Sequence, residues 1–197
     1  MEFQGDFKMD ESQISIHTVT EHDFPLIERL FVQNGACEGC WCMYWRVDTN
    51  KQYKEGCGNK NKNSLKKLVK AGQVRALIAM DGDEPAGWCT FGPRESFRRL
   101  KEYRTLKRES HFGLWSIVCF FTNSKFRRKG ISNALLEKAV EACFAQGATE
   151  IEGYPTEMKE KYTYTYTGIT TQFERLGFKH MVREGEMRPI YVLKKIN

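Results

Sequence analysis

Residues 114–133, LWSIVCFFTNSKFRRKGISN, carry the strongest structural signals in the chain. The run from Leu114 to Phe121 is almost entirely apolar, which predicts a strand buried on both faces at the centre of a sheet. A helix is predicted from Lys129 to Gln146, because apolar residues recur there every three to four positions and Gly147 follows as a stop signal. The segment is therefore a central strand, a basic loop and a helix.

The basic loop is predicted to bind an anion where it enters the helix. Four cations lie between positions 125 and 129, directly before Gly130. A helix start offers unpaired backbone N–H groups and the positive end of the helix dipole, and both stabilise an anion. Gly130 lets the backbone approach closely, and Ser132 is too small to block that approach. The pattern predicts a pyrophosphate site.

Strand and helix patterns alternate along the rest of the chain, which indicates one mixed α/β domain without repeats or linkers. Further strands are predicted at residues 14–18, 74–80, 86–91, 149–154, 178–182 and 190–193, and further helices at 21–32, 65–72, 96–107 and 168–176. Residues 35–58, rich in glycine, cysteine and aromatic residues, are predicted to be irregular. Residues 1–12 contain few apolar residues and are predicted to be a flexible extension, so the domain covers residues 13–197.

Composition narrows the class of protein. The chain of 197 residues has 31 Lys and Arg against 25 Asp and Glu, a formal net charge of +6. This charge attracts anionic ligands but is low for a dedicated nucleic-acid-binding protein. The chain shows no transmembrane-length apolar run and no secretory signal pattern. Its seven cysteines are an odd number scattered among apolar runs, which favours reduced thiols, with Cys89, Cys119 and Cys143 buried. We expect a cytoplasmic protein that binds neither membrane nor nucleic acid.

The pattern Arg127-x-x-Gly130-x-Ser132 resembles the signature of the GNAT N-acetyltransferases. That signature is Arg or Gln, two residues, Gly, one residue, then Gly or Ala at a helix start, so only Ser132 departs from it. The later run Phe173-Glu-Arg-Leu-Gly177-Phe178 is similar to the family's helix-to-strand motif, and the resemblance covers about residues 14–195. It implies a single GNAT-like α/β (α+β) domain with a mixed, mostly antiparallel central sheet of six to seven strands flanked by helices.

The resemblance also implies the acyl donor. Acetyl-coenzyme A would be the co-substrate, with no metal required. The backbone at the end of the central strand would bond the pantetheine arm, and one strand amide would polarise the thioester carbonyl. The N–H groups from Arg128 to Asn133 would hold the pyrophosphate. The implied cofactor-binding residues are Phe120, Phe121, Thr122, Arg127, Arg128, Lys129, Gly130, Ile131, Ser132 and Asn133.

The residues that move protons are not fixed by the sequence. Direct transfer to an amine needs a route for the amine proton and an acid for the departing thiolate. Many family members take the acid from a Tyr four residues before the late glycine, but this chain has Phe173 there. Water or the substrate could serve instead, as could Tyr154, Tyr162, Tyr164 or Tyr166. Glu152 is the first candidate base, although an ordinary exposed glutamate fits as well. The predicted catalytic residues are Glu152, Tyr154 and Tyr164.

The cysteine-rich segment has two readings. Cys37, Cys40, Cys42 and Cys57 supply the four thiols of a zinc site, but their spacing is irregular for one. Alternatively, the segment is extended, and its thiols are packed in the core or line the substrate cleft. The candidate cleft residues are Cys40, Cys42, Trp45 and Arg94. With Arg46 also nearby, such a cleft suits a small amine that carries a carboxylate or an aromatic part. Segments 40–46 and 152–155 are also similar to a bacterial branch of the family without an assigned substrate.

The resemblance therefore implies an N-acetyltransferase that acts as a monomer or homodimer on a small-molecule amine, in a ternary complex. Two other classes remain open. A non-catalytic acyl-CoA sensor on the same fold would explain Phe173. A nucleic-acid-binding module would use the basic tract from Lys51 to Lys70 and the arginines near Arg98.

Overall fold

The computed structural model of the chain describes residues 14–32, 39–157, 166–183 and 188–196. These residues form a seven-stranded sheet in the order β1-β2-β3-β4-β5-β7-β6. Neighbouring strands are antiparallel, except that β4 and β5 are parallel. The strands are β1 Ile14–Thr18, β2 Arg75–Asp81, β3 Glu84–Pro93, β4 Leu114–Thr122, β5 Glu150–Gly153, β6 Lys179–Met181 and β7 Ile190–Lys194. The predicted fold class is confirmed, whereas the predicted extension, residues 1–12, lies outside the described residues.

Helices cover both faces of the sheet. They are α1 Phe24–Val32, α2 Asn50–Gly56, α3 Asn59–Lys70, α4 Arg99–Glu102, α5 Ile131–Ala145 and α6 Thr170–Arg175. Helices α1, α3 and α4 and the loop at 39–48 pack on one face, which we call the α1 face. Helices α5 and α6 pack on the other, the α5 face. In the ranges that the structure describes, none of these helices is both long and apolar enough to cross a membrane.

Strand β4 lies at the centre of the sheet, as its sequence predicts. Its residues are buried except Thr122, which is partly exposed at the end. The register with β3 shifts between Thr90 and Phe91, so β4 contains a bulge. Val118 and Cys119, although adjacent, both join the core of the α1 face. The bulge therefore re-aims the second half of β4.

The parallel pair β4 and β5 separates halfway along β4. Their pairing extends only from Leu114 opposite Glu150 to Ile117 opposite Gly153. Beyond it, the N–H of Phe120 donates to the carbonyl of Tyr166 across 2.6 Å. The two strands thus part at their carboxyl ends, where the carbonyl of Tyr166 bonds to Phe120 and the carbonyl of Gly168 bonds to Thr156. We call this place the splay.

Phe173 of α6 fills the α5 face of the sheet beside the splay. Its ring is fully buried, with its centroid 6.4 Å from that of Phe120 and 5.0 Å from that of Phe178. It also lies directly against Gly153 at the end of β5, where a Cβ atom would be 2.1 Å from the ring. A glycine is required there because the ring occupies the space of a side chain.

Two local predictions are wrong. A single helix was predicted over residues 96–107, but only the short α4 and flanking 3-10 turns form there. The Arg94 guanidinium accounts for the interruption, because it draws the carbonyls of Leu100 and Leu106 into hydrogen bonds of 3.5 and 2.8 Å. Residues 35–58 were predicted to be irregular, yet they contain α2, which begins with a capping box between Thr49 and Gln52.

Replacing Gly153 by Ala should destabilise the fold. The added methyl group would overlap the Phe173 ring, and such overpacking costs about 1–3 kcal/mol. For a chain of this size we expect the midpoint of thermal unfolding, followed by circular dichroism, to fall by about 2–12 °C. The double variant Gly153→Ala with Phe173→Leu should recover part of that loss, since the smaller side chain makes room. A Gly153→Ala protein that unfolds at the wild-type temperature would show that the ring is packed elsewhere.

Candidate active site

The loop before α5 presents backbone N–H groups to solvent. Arg128 and Gly130 have left-handed backbone conformations, with φ of 64° and 77°. The carbonyl of Gly130 accepts from the N–H groups of Asn133 and Ala134, at 2.9 and 3.1 Å, which starts the helix. The N–H groups that precede them have no partner within the helix. The predicted anion site is therefore a regular helix start.

The charge of this loop is positive and accessible. Arg127 and Arg128 are exposed, and neither forms an ion pair with another residue that the structure describes. Lys129 is partly neutralised, because its Nζ lies 3.3 Å from the Asp81 carboxylate. Gly87 on β3 lets the helix start lie close to the sheet, since a Cβ there would be 2.7 Å from the Ile131 side chain. The cationic loop is thus fixed at the edge of the splay.

Gln172 on α6 holds the helix start in place. Its Nε2 donates to Ser132 Oγ across 3.1 Å and to Asn133 Oδ1 across 2.8 Å. Its Oε1 accepts from the N–H of Ile169 at 3.1 Å, which orients the amide. No pattern in the sequence points to a role for this residue, because its contact joins positions about forty residues apart. Ser132, the departure from the family signature, is one of its partners.

The predicted pantetheine-binding residues lie at the end of β4, beside the splay. The Phe120 N–H points away from β3 and is bonded to Tyr166. The Phe121 ring packs edge-on against Phe31 on the α1 face, with centroids 5.7 Å apart. Thr122 is partly exposed where the strand ends. Strand end and basic loop are thus continuous along one side of the splay.

A buried polar cluster lies beneath the splay, around Glu152 on β5. The Glu152 side chain is fully buried, and its Oε1 accepts from Arg94 Nε at 2.6 Å and from Ser116 Oγ at 2.9 Å. Its Oε2 accepts from Arg108 at 3.2 Å, and the Tyr154 hydroxyl also donates to Oε1. All four donors to the carboxylate are side chains of the protein itself. The carboxylate is therefore held by four donors and is not open to a ligand.

A second carboxylate balances the charge of this cluster. Arg108 also donates to Glu150 across 2.8 Å, so two guanidinium groups face two carboxylates. Arg94 is itself buried, and it bonds to Glu152 and two backbone carbonyls. Paired in this way, the charges link β4, β5 and the segment after β3.

Tyr154 belongs to the same cluster. Its hydroxyl lies 3.0 Å from Ser116 Oγ, and its ring stacks on Trp45 with centroids 5.9 Å apart. Burial raises the pKa of the Tyr154 hydroxyl well above its usual range, and the adjacent Glu152 charge raises it further. Arg94 acts in the opposite direction but more weakly. The hydroxyl is therefore protonated at neutral pH and serves as a donor within the cluster.

The structure brings Glu152, Tyr154 and Arg94 together, but in an arrangement that does not match their predicted roles. A base, an acid and a cleft cation all need atoms free to bond to the substrate, whereas each of these buried side chains is bonded within the cluster. Ser116 and Arg108 complete the cluster and were missed. Ser116 could have been recognised from the sequence, because it is a polar residue within the most apolar strand. Tyr164 lies outside the described residues.

The cysteine-rich segment is a tight turn, which corrects the predicted extended conformation. Trp41 and Cys42 have φ values of 49° and 48°, and residues 40–43 are all buried. The thiol of Cys42 lies 3.4 Å from that of Cys119, and it accepts from the Trp88 indole N–H at 3.0 Å. Cys42 thus anchors the loop to the α1 face. Cys89, Cys119 and Cys143 are buried, as predicted.

Across the described part of the chain, no group of three or more His, Cys, Asp and Glu side chains is arranged to hold a metal ion. Of the four thiols considered for zinc, Cys37 lies outside that part. Cys57 is exposed, and its thiol donates to the carbonyl of Tyr53 at 3.4 Å.

Trp45 is the predicted cleft residue that lies nearest the splay. Its ring contacts Tyr154, and it packs edge-on against Tyr44 with centroids 4.9 Å apart. The guanidinium of Arg188, before β7, lies over the Trp45 ring at 5.4 Å. Arg46, which was also expected near the cleft, instead lies over Phe97 at 5.1 Å. The aromatic and cationic side chains on this side are therefore Tyr44, Trp45, Tyr103, Arg99 and Arg188.

The sequence and fold can be compared with those of known proteins. The profile of the Acetyltransferase (GNAT) family matches residues 37–158, which include β4, the basic loop, α5 and β5. No curated protein matches the sequence.

Several solved structures share the fold at low sequence identity. An N-acetyltransferase from Staphylococcus aureus Mu50 is 17% identical, with 93% of this chain and 99% of that chain covered and a TM-score of 0.55. The PaiA N-acetyltransferase from Thermoplasma acidophilum, in complex with coenzyme A, is 15% identical, with 92% and 99% covered and a TM-score of 0.54. AAC(6')-Ib, in complex with paromomycin and acetyl-CoA, is 14% identical, with 93% and 94% covered and a TM-score of 0.57.

Replacing Glu152 by Gln should strongly destabilise the protein. The variant leaves two arginines of the buried cluster without this charge partner, and breaking a buried pair costs about 3–5 kcal/mol. The free energy of unfolding is measured by urea titration. As the matched control, Glu137→Gln breaks an exposed pair with Arg175 and should cost less than about 1 kcal/mol. Equal, small losses in the two variants would contradict the buried cluster.

Proposed function

Since the chain belongs to the GNAT acetyltransferase family, we propose that it transfers an acetyl group from acetyl-coenzyme A to the amine of a small-molecule acceptor. The observation that carries the proposal is the exposed, cationic helix start at the edge of the splay. Two solved relatives in fold support the choice of donor and acceptor, because one contains coenzyme A and the other contains acetyl-CoA with paromomycin.

The residues at the start of α5 fit a pyrophosphate. The left-handed Gly130 carries no side chain over the N–H groups that follow it, and Arg127 and Arg128 add positive charge without a competing carboxylate among the described residues. We assign pyrophosphate binding to Arg127, Arg128, Lys129, Gly130, Ile131, Ser132 and Asn133. In this assignment Gln172 is a positioning residue, since it holds the side chains of Ser132 and Asn133.

The end of β4 would hold the pantetheine arm and the thioester. The Phe120 N–H already donates across the splay to the Tyr166 carbonyl, so a pantetheine acceptor group would replace that carbonyl. Backbone from Phe120 to Thr122 then aligns the arm, and an amide pointing into the splay polarises the thioester carbonyl. The amine attacks this carbonyl, so a C–N bond forms, the C–S bond breaks and coenzyme A leaves as the thiol.

The proton steps do not use the family's usual tyrosine. Phe173 replaces it, and its fully buried ring has no proton to donate. We assign Glu152 and Tyr154 to positioning, because their oxygens bond to each other, to Ser116 and to the two arginines of the cluster. Arg94 and Arg108 neutralise the two carboxylates of the cluster beneath the site, and Ser116 of β4 bonds to Glu152 of β5 where the two strands are still paired.

Acetyl transfer is tested by the release of free thiol from acetyl-coenzyme A in the presence of a panel of small amines. We expect release that depends on the amine, and a product whose mass is larger by one acetyl group. Binding of coenzyme A without turnover on any amine would favour the acyl-CoA sensor. Salt-sensitive binding to nucleic acid, without binding of coenzyme A, would favour the nucleic-acid module.

Replacing Ser132 by Glu should separate cofactor binding from folding. A carboxylate in the first turn of α5 interacts well with the helix dipole, so stability should be maintained. The same charge occupies the site proposed for the pyrophosphate, so affinity for coenzyme A, measured by calorimetry, should fall by about tenfold or more.

The matched control is Gln146→Glu, which adds the same charge at the other end of α5. It should leave the affinity within about threefold, because that distance exceeds the screening length at physiological salt. Equal affinities of the two variants for coenzyme A would contradict the placement of the pyrophosphate.

A further inference from the structure

We propose that Arg99 and Arg188 form an anion subsite in the acceptor cleft, so that the acceptor is an amine that also carries a carboxylate. This inference rests on the proposed function, because it concerns the second substrate of the same site. It also corrects which arginines are involved, since Arg94 is committed to Glu152 and Arg46 is bonded to Thr90 at 3.1 Å.

Arg188 is a largely desolvated cation, and no carboxylate among the described residues pairs with it. One of its terminal nitrogens donates to Thr167 Oγ1 across 2.9 Å, and the guanidinium lies over the Trp45 ring. Burial lowers the pKa of Arg188, yet an arginine remains charged at neutral pH. Within the ranges that the structure describes, the ionisable groups acting on it are Tyr103, Tyr44 and Tyr154, with no carboxylate among them.

Arg99 is a second buried cation on this side of the sheet, beside Tyr44. It is 5% exposed, and its guanidinium lies 4.1 Å from the centre of the Tyr44 ring. One terminal nitrogen donates to Asn50 Oδ1 at 2.7 Å. The other is buried and has no hydrogen-bond partner among the described residues. An unsatisfied donor on a buried charge is costly, which a bound anion would relieve.

The two arginines act on the same pair of rings. Tyr44 and Tyr103 have hydroxyl oxygens 3.2 Å apart, and the charges of both Arg99 and Arg188 bear on Tyr44. The Arg99 guanidinium also lies 6.0 Å from the centre of the Tyr103 ring. Arg99 lies over Tyr44 and Arg188 lies over the neighbouring Trp45, so the two cations and the two hydroxyls belong to one set of contacting side chains. Guanidinium and hydroxyl groups are the ones that recognise a carboxylate.

This region adjoins the splay. Trp45 links them, because its ring stacks on Tyr154 directly after β5 and lies 6.1 Å from Tyr103. Thr167, the partner of Arg188, follows the residue whose carbonyl bonds to Phe120 across the splay. A carboxylate held here would leave the amine of the same small molecule directed toward the thioester.

Two carboxylates on this side of the sheet already have partners. Asp48, just after the aromatic turn, is paired with Arg98 at 3.3 Å. Glu152 lies behind Tyr154 and is held by Arg94 and Arg108. In the part of the chain that the structure describes, the two arginines of the subsite thus carry a formal charge of +2 that no carboxylate neutralises. A ligand carboxylate supplies a negative charge there.

The test compares amines that share a side chain and differ at the carboxyl group, phenylalanine and phenylalaninamide, with glycine and glycinamide as a second pair. Each rate is referred to the concentration of the neutral amine. The wild-type protein should acetylate the carboxylate member of a pair with a kcat/KM about tenfold higher. In Arg188→Gln, KM for the carboxylate member should rise about tenfold while kcat and the values for the amide member change by less than about threefold. Arg188→Lys should recover part of the preference, because it restores the charge but not the planar fork.

Binding of N-acetylphenylalanine and of its amide, followed by tryptophan fluorescence, provides a readout that does not need turnover. The carboxylate form should bind more tightly to the wild-type protein and lose that advantage in Arg188→Gln. Equal losses for both amines, or a preference for the amides, would overturn the subsite while acetyl transfer itself stands. Selective binding of the carboxylate without turnover on any amine would support the subsite and count against the transferase. Thermal unfolding of each variant confirms that it is folded.

Discussion

The contact between the Phe173 ring and Gly153 is the constraint on which the site depends. Strands β4 and β5 stay paired only up to Gly153, and the ring packs against that residue and against Phe120 on the α5 face. A side chain at position 153 would push the ring, and with it α6, away from the sheet. Because Gln172 lies on the same short helix, this packing also fixes the start of α5. One buried ring thus connects the parting of the strands to the proposed anion site.

The two faces of the sheet suit different substrates. The α5 face has an apolar core and ends in the cationic loop, which suits the charged end of a donor. The α1 face contains the aromatic turn with Arg99 and Arg188 beside it, which suit a small acceptor. The buried cluster around Glu152 lies between them, where it ties β4 to β5 before they separate. Donor and acceptor would therefore meet at the splay, each approaching from its own side.

Local sequence patterns were enough to predict the main elements of the fold. The apolar run in β4 predicted a central strand, and the periodic residues before Gly147 predicted α5, because burial on two faces and on one face leave different patterns. The helix predicted over 96–107 failed because Arg94, outside that window, captures two of its carbonyls. Helix α2 was missed although its capping box is visible at Thr49 and Gln52.

The candidate site was less predictable, since its side chains meet only through tertiary contacts. The loop from Arg127 to Asn133 was visible because a helix start forms its site from consecutive residues. Glu152 was predicted to be a free carboxylate because its partners Arg94 and Arg108 lie more than forty positions away in the sequence. No local pattern predicts such a contact. Arg99 and Arg188 were overlooked for the same reason. They become candidates only once the fold places Arg99 over Tyr44 and Arg188 over the neighbouring Trp45.

A crystal structure of the protein with coenzyme A tests the central claim most directly. The account predicts the pyrophosphate within hydrogen-bond distance of the backbone N–H groups between Arg128 and Asn133, and the pantetheine arm between β4 and β5. The Phe120 N–H should then donate to the arm in place of the Tyr166 carbonyl. A pyrophosphate bound elsewhere, or a Phe120 bond to Tyr166 that survives in the complex, would contradict it.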